Sequence, residues 1–398
     1  MSQNLANFDK VLKIDYLGPI RAQFAETHIL LKRLERNEED VGGKTAYVPL
    51  HTTRNSGVGA RADGGTLPTA GRQGYDNAQY NCAYNYARIE ISGPTIAASR
   101  KNKYAFVKAV DSEIQGAVKD MRDDVNRQLH GDGTGTLCLI NGDPGTSNAY
   151  FDCDTPGTMY LQKGMVIQLV DPASTTAGDF RTNVGSKTIT AKTSATRAAC
   201  TAFHADAADN DLVVRAGNYL LEMMGLRGIV NTSGTVGAIN RGTAGNEFWR
   251  AQVLSNSAVA RKLTLDLMQQ AWDLAEEEGG EISLILTNRI QRRKYLALVK
   301  ADGRFVNTLT LDGGFTGLEY NEKPLVVDRH CLPGRMYFVD ETTLALYQMS
   351  DIEWMEEDGA ILSRVSGKDA YEAVLYWYAT LGCSACNKNA LLDDLIIT

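Results

Sequence analysis

Apolar positions along the chain change period several times, and each change marks an element. Over residues 103–130 they fall three and four apart: Val107, Val110, Ile114, Ala117 or Val118, Met121, Val125 and Leu129. That spacing lays one apolar stripe along a helix, with Lys108, Asp111, Lys119, Asp120, Arg122 and Asp123 on the other faces. At 1.5 Å per residue the helix is a rod of about 40 Å. Gly131-Asp132-Gly133-Thr134-Gly135 ends it, because glycine adopts the left-handed backbone that closes a helix. Upstream, residues 11–36 predict an arm followed by a helix, with Pro19 at a first helical position and Ile20, Phe24, Leu31 and Leu34 near helical spacing. That helix should stop by Val41-Gly42-Gly43.

Two strand patterns, residues 45–52 and 80–91, flank the Gly-rich segment that contains Gly57, Gly59, Gly64, Gly65, Leu67-Pro68, Gly71 and Gly74. A lone two-stranded ribbon is marginal in water, and a long loop without structure of its own is commonly functional. The hairpin is therefore expected to lie on another protein. Residues 138–225 give short strands and turns, with Met165, Ile167 and Leu169 alternating and then Leu212 and Val214; residues 188–203, rich in Thr and Ala, are a weaker strand pattern. This reads as a small β domain inserted into the chain. An α/β portion follows. Thr264 can cap a helix whose buried face carries Leu267, Ala271 and Leu274, residues 282–286 form a buried strand, and Asn288 can cap the next helix, through Lys300. The tail is again β, at residues 325–328, 336–340, 344–348 and 371–381. The last run is apolar on both alternating faces and predicts a central strand buried on both sides.

Composition narrows the classes. The 398 residues suit two to three domains. Lys plus Arg number 41 against 48 Asp plus Glu, a net charge of −7, which argues against a protein built to grip nucleic acid. The apolar and charged fractions are those of a folded chain and exclude intrinsic disorder. No apolar run approaches the ~20 residues of a membrane span, and residues 1–10 lack the basic-then-apolar order of a secretory signal. Seven scattered cysteines, an odd number, do not make a disulfide framework, so free thiols and a reducing compartment are expected.

Each candidate for chemistry has a plainer reading. The Gly131 loop follows a helix, whereas phosphate loops follow a strand and open a helix, so it reads as a helix stop and hinge. Cys383 and Cys386 have the spacing of a metal knuckle or redox pair, but no second pair of ligands exists, so they read as two free thiols near a strand end. The histidines His28, His51, His130, His204 and His330 are dispersed. A dyad of His330 or Cys331 with Asp328 is disfavoured because close neighbours in a strand or turn point apart. Residues 206–211 lack the glycine and terminal glutamate of a calcium loop and read as a solvated turn. Glu276-Glu277-Glu278 reads as an exposed helix end. No catalytic residue, cofactor site or metal site is assigned.

The order of these segments carries a resemblance. A helical arm, a Gly-Gly start, a Gly-rich ribbon with Leu67-Pro68, then Ile89-Glu90-Ile91-Ser92-Gly93-Pro94-Thr95-Ile96, Ala98-Ser99-Arg100 and Ala105-Phe106-Val107 precede the long helix with its Asn126-Arg127-Gln128-Leu129 end. Later come Gly225-Leu226-Arg227-Gly228-Ile229-Val230, Gly313-Gly314-Phe315, Pro324-Leu325-Val326-Val327-Asp328, Asp358-Gly359 and Gly367-Lys368-Asp369-Ala370-Tyr371. The series resembles the major capsid proteins of tailed bacteriophages, which have the Hong Kong 97 fold. The resemblance implies an α+β fold with an N-terminal arm (1–42), an extended loop (43–92) and a peripheral domain with a spine helix (93–137). A β-rich insertion domain (138–224), an axial domain (225–339) and the peripheral C-terminal strands (340–398) complete it.

It also implies partners. Copies of the chain would form hexamers, pentamers and a shell in the virion, assembled in the host cytoplasm, enclosing double-stranded DNA without sequence-specific binding and without a membrane. The net charge of −7 suits a container that must release its DNA. Some relatives carry a long cleaved scaffolding segment; only the short stretch before Gly43 precedes the loop here, so a separate scaffolding protein is expected, with a portal and a possible decoration protein. Arg54, Arg61, Asp63 and Arg72, on the extended loop, are the candidate intersubunit contacts. An encapsulin-like compartment is the alternative with the same fold. An α/β enzyme using the Gly131 loop or Cys383/Cys386 is the alternative from another class.

Overall fold

The computed structural model describes residues 29–94, 103–145, 148–203, 205–301, 308–311, 315–356 and 362–397. The C-terminal strand Ala370–Cys383 organises the first sheet. One edge pairs antiparallel with Ala83–Ser92, from Ala370 opposite Ser92 to Ala379 opposite Ala83. The other edge takes Leu344–Gln348, Glu353–Trp354 and Ser363–Arg364 in turn. Glu35–Asn37 adds to Leu344–Gln348 in parallel, so segments far apart in sequence close one sheet. The long helix, Lys103–Leu129, shares a core with this sheet. Ile114, Val118, Met121, Val125 and Leu129 bury against a core that includes Ile89, Ile91, Leu375, Trp377 and Leu381. Val118, not Ala117, holds the buried position; the side chains of Val107 and Val110 lie outside the described ones.

The C-terminal strand is central in pairing, but its first part is buried on one face only. Val374, Tyr376 and Tyr378 are half-buried, and Tyr376 and Tyr378 cluster with the exposed Tyr84 and Tyr86. Tyrosine reads as apolar in an alternation, yet its hydroxyl keeps the ring at the water boundary.

A second sheet, of six strands, spans residues 136–215, with its own core built on Leu137, Ile140, Phe151, Ile167, Leu169 and Val213. The weak pattern at 188–203 is a hairpin, Lys187–Lys192 with Arg197–Cys200. The third sheet has seven strands, with Leu284–Thr287 near its centre, parallel to Lys323–Val327 and antiparallel to Met336–Val339. Two helices lie on it, Leu265–Glu277 and Arg289–Ala301. Thr264 caps the first by accepting from Leu267 N, and Asn288 caps the second by accepting from Ile290 N and Gln291 N.

Three expectations change. The apolar face of Leu265–Glu277 is Met268, Ala271, Trp272 and Ala275, one position round from the expected Leu267 and Leu274, because Trp272 fills the core beside Phe338 and Tyr320. The helix that begins in the arm ends at Arg33, because residues 35–37 give their backbone to the parallel pairing instead; Pro19, Ile20 and Phe24 lie outside the described residues. The pattern at 80–91 is two strands. Gly74–Asn81 pairs with Thr45–Thr53, Cys82 N donates to Lys44 O, and Ala83 starts the strand that joins the first sheet.

Candidate assembly surfaces

The ribbon Thr45–Thr53 and Gly74–Asn81 has two regimes. At its base one face, Ala46, Val48, Leu50, Ala78 and Tyr80, is buried in the main core beside Val236, Ile239 and Tyr347. Gln79 N donates to Gly237 O and Tyr80 Oη to Cys383 O. Gly237 has φ +60°, and a Cβ there would lie 2.8 Å from Ala78, so only glycine lets the ribbon sit this close. The expectation that the whole hairpin rests on another protein is therefore corrected: its base belongs to its own chain.

Residues 54–73 are the uncovered part. They carry no regular structure, and their hydrogen bonds are local: Gly57 N to Asn55 Oδ1, Gly65 N to Ala62 O and Arg61 Nε to Thr66 O. Val58 is 83% exposed and Leu67 81%. Arg54, Arg61, Asp63 and Arg72 are all exposed, and none makes an ion pair among the described residues. The structure does not bring the four together with a partner in this chain. The segment thus keeps apolar side chains in water and charges without an ion-pair partner among the described residues.

The end of the long helix is the second notable place, and the sequence pattern missed it. Asp328 and His330 do converge, on the helix residues Asn126 and His130. Asn126 Nδ2 donates to Asp328 Oδ1 (2.9 Å) and lies 2.7 Å from His330 Nδ1, His330 N donates to Asp328 Oδ1, and His130 Nε2 lies 3.4 Å from Asp328 Oδ2. Tyr160 Oη, from the six-stranded domain, donates to His330 O. On the same helix Arg127 pairs with Asp124 and Glu222, and Arg215 reaches Asp124 at 3.3 Å. The six- and seven-stranded sheets thus meet at this helix end, and Gln128 Nε2 donates to Asn85 Oδ1 on the first sheet. Every member of the Asp328 group is buried, so this is a joint and not a catalytic cleft.

The joint makes stability depend on pH. Burial pushes the His330 imidazole down to about 4, against the pull of Asp328. Between pH 6.5, the ordinary histidine value, and about 4 the unfolded chain takes up a proton that the folded chain refuses. Stability therefore falls as pH falls through this window, by up to about 3 kcal/mol from this group. Burial alone would raise the Asp328 pKa; His130 beside it and the hydrogen bonds it accepts hold it well below the carboxylate range. Its contribution is complete above the unfolded value of ~3.9 and is lost as pH drops further. Melting temperatures measured from pH 7 to pH 4 should fall more steeply for the wild type than for His330→Gln; parallel profiles would refute the assignment.

The remaining candidates are structural. Gly133 and Gly135 take φ of +83° and +79° where the long helix turns into strand Thr136–Leu139. Gly131 O and Thr134 O accept from Gly228 N and Leu220 N, so the loop's backbone is engaged by the chain itself. Cys383 and Cys386 are buried free thiols beside Thr343 and Arg241. Asp211, expected in a solvated turn, is fully buried, because its carboxylate accepts from Arg181 Nη2 and Ala208 N. His51 meets Gln73 and Tyr75 on the ribbon; His28 and His204 lie outside the described residues. No three His, Cys, Asp or Glu side chains among the described residues gather as a metal site.

A long helix laid across a sheet that gathers distant segments, a second α/β sheet and a ribbon reaching past its own core make up the architecture. No family model matches the sequence, and no curated protein does. Solved structures do match. The capsid asymmetric unit of cyanophage A-1(L) overlaps 95% of this chain and 92% of its own at 14% identity, with a TM-score of 0.57. An encapsulin complex from Synechococcus elongatus (93% and 88%, 10% identity, TM-score 0.48) and the capsid of an empty GTA particle (94% and 90%, 10% identity, TM-score 0.46) are also similar. The chain has the Hong Kong 97 capsid fold and includes a six-stranded β sheet with a core of its own.

Proposed function

We propose that this chain is the major capsid protein of a tailed bacteriophage, assembling as hexamers and pentamers into an icosahedral shell around double-stranded DNA. The observation that carries the reading is the overlap, over nearly the whole of both chains, with a phage capsid subunit. The uncovered loop at 54–73 and its exposed apolar side chains give the physical need for neighbours. In this reading residues 1–42 are the arm, 43–92 the extended loop, 93–137 and 340–398 the peripheral domain, 138–224 the insertion domain and 225–339 the axial domain. Arg54, Arg61, Asp63 and Arg72 contact neighbouring subunits. A separate scaffolding protein, a portal and possible decoration protein complete a particle assembled in the host cytoplasm, and the chain performs no catalytic step.

Particles from cells that make this protein should hold nuclease-protected double-stranded DNA. Particles filled with protein cargo and free of DNA would replace the reading with an encapsulin-like compartment. The loop also predicts how the shell is held. Some proteins of this fold join a loop lysine covalently to a neighbour's asparagine, but between Lys44 and Lys101 this chain has no lysine. Boiled, denatured particles should run as monomer on a gel; a ladder of covalent oligomers would contradict this.

A further inference from the structure

The two helices on the seven-stranded sheet carry opposite charge. Leu265–Glu277 holds Asp266, Asp273, Glu276 and Glu277 and neither lysine nor arginine. Arg289–Ala301 holds Arg289, Arg292, Arg293, Lys294 and Lys300 and no carboxylate. Both pack into one core through Met268, Trp272, Tyr295 and Val299, with the Tyr320 ring between Trp272 and Tyr295. The acidic helix packs over Gln252–Leu254, Ala390–Leu392 and Met336–Val339 and the basic helix over Lys323–Val327, so the two lie on one face of the sheet toward its opposite sides. Asp266, Asp273 and Glu277 form an exposed stripe on the first helix, and Arg289, Arg293 and Lys300 one on the second. Each stripe runs over twelve residues, about 16 Å of helix from first to last. None of these six side chains makes an ion pair among the described residues.

Within a single subunit the arrangement is unfavourable. Glu276 and Glu277 crowd a helix C-terminus, where the backbone dipole favours cations. Arg289, Arg292 and Arg293 crowd a helix N-terminus, where it favours anions. Like charges four residues apart, Asp273 with Glu277 and Arg289 with Arg293, repel as well. A surface of opposite sign and equal length relieves both helices, and each helix is such a surface for the other.

We propose that the acidic helix Leu265–Glu277 of one subunit docks on the basic helix Arg289–Ala301 of a second copy of the chain. The inference rests on the shell reading and adds to it a second contact, distinct from the extended loop. Contact between two different patches is heterologous, and repetition by a fixed rotation closes a ring. Opposite charge also steers the encounter and fixes which patch meets which. Nucleic acid fits less well, because phosphates drawn to the basic helix would share a sheet face with the acidic one on a chain of net charge −7.

Three variants of the full chain test this: Asp273→Lys with Glu277→Lys, Arg289→Glu with Arg293→Glu, and all four together. Each pair moves charge to the end of its helix that the dipole favours, so the subunit should melt at or above the wild-type temperature. Either pair alone should lower the yield of capsomers and shells at least tenfold, measured by sedimentation in low salt. The fourfold swap should restore assembly, since the two surfaces are again complementary. Wild-type assembly by either pair, or failure of the fourfold variant to recover, overturns the docking proposal while wild-type shells leave the shell reading standing. If the Arg289/Arg293 pair assembles normally and only retains less DNA, the basic helix faces nucleic acid and the proposal is wrong. If the wild type itself forms no rings or shells, both readings fall together.

Discussion

Replacing residues 55–72 by a two-residue Asn-Gly turn yields a subunit that folds and does not form shells. The segment supports nothing inside its own chain: its hydrogen bonds are local, and Val58 and Leu67 stand in water. The strands below it are held by Ala46, Val48, Ala78 and Tyr80 in the main core and by Gln79 N on Gly237 O, none of which the deletion touches. Shortening a loop changes closure entropy only slightly, about 0.6 kcal/mol per halving. The melting temperature of the unassembled subunit should therefore move by a few degrees at most. Assembly should fall by orders of magnitude. Burial of loop side chains on a neighbour contributes at roughly 25 cal/mol per Å2 and is repeated at every copy. Sedimentation of wild type and deletion side by side measures this, and shells of the deletion at wild-type yield would show that the loop makes no essential contact.

Arg241→Met acts on the opposite property. Arg241 is fully buried and donates to four backbone carbonyls, Trp249 O, Gly228 O, Ser233 O and Ile229 O. It thereby ties helix Leu226–Ile229 to the hairpin on which the ribbon rests, which Trp249 Nε1 also pins through Val236 O. No carboxylate pairs with it among the described residues. Methionine fills much of the volume and leaves the carbonyls buried without donors, at about 1–3 kcal/mol for each that finds no water. We expect a loss of about 3–5 kcal/mol in urea unfolding of the subunit. Arg241→Lys should recover part of it, since an ammonium cannot fork to four acceptors. A methionine variant as stable as the wild type would show that the carbonyls are satisfied some other way.

The two variants separate what was legible in the sequence from what was not. Periodic elements were: the long helix, both capped helices and the strands at 325–328, 336–340 and 344–348 follow from spacing, because each buries a single face or a continuous run. The loop was legible as a ribbon too long and too Gly-rich to hold itself. Its base was not, because the partner surface, Val236 to Ile239, lies far away in sequence and shows no period of its own. Arg241 was hidden for a related reason: a lone arginine in a Gly-rich stretch looks solvated until four carbonyls close round it. The joint at Asp328 was hidden because His130 and Asn126 arrive from a different element, and sequence neighbours alone spoke only against a dyad of Asp328 with His330 or Cys331. The candidates Arg54, Arg61, Asp63 and Arg72 remain a proposal about neighbours that only the assembled state tests.

The central claim is that this chain is a shell subunit. Negative-stain electron microscopy of the purified wild-type protein tests it most directly. The account predicts five- and six-membered capsomers or closed icosahedral shells. A uniform field of monomers or small oligomers, at concentrations where the subunit is folded and under conditions that include a scaffolding partner, would contradict it.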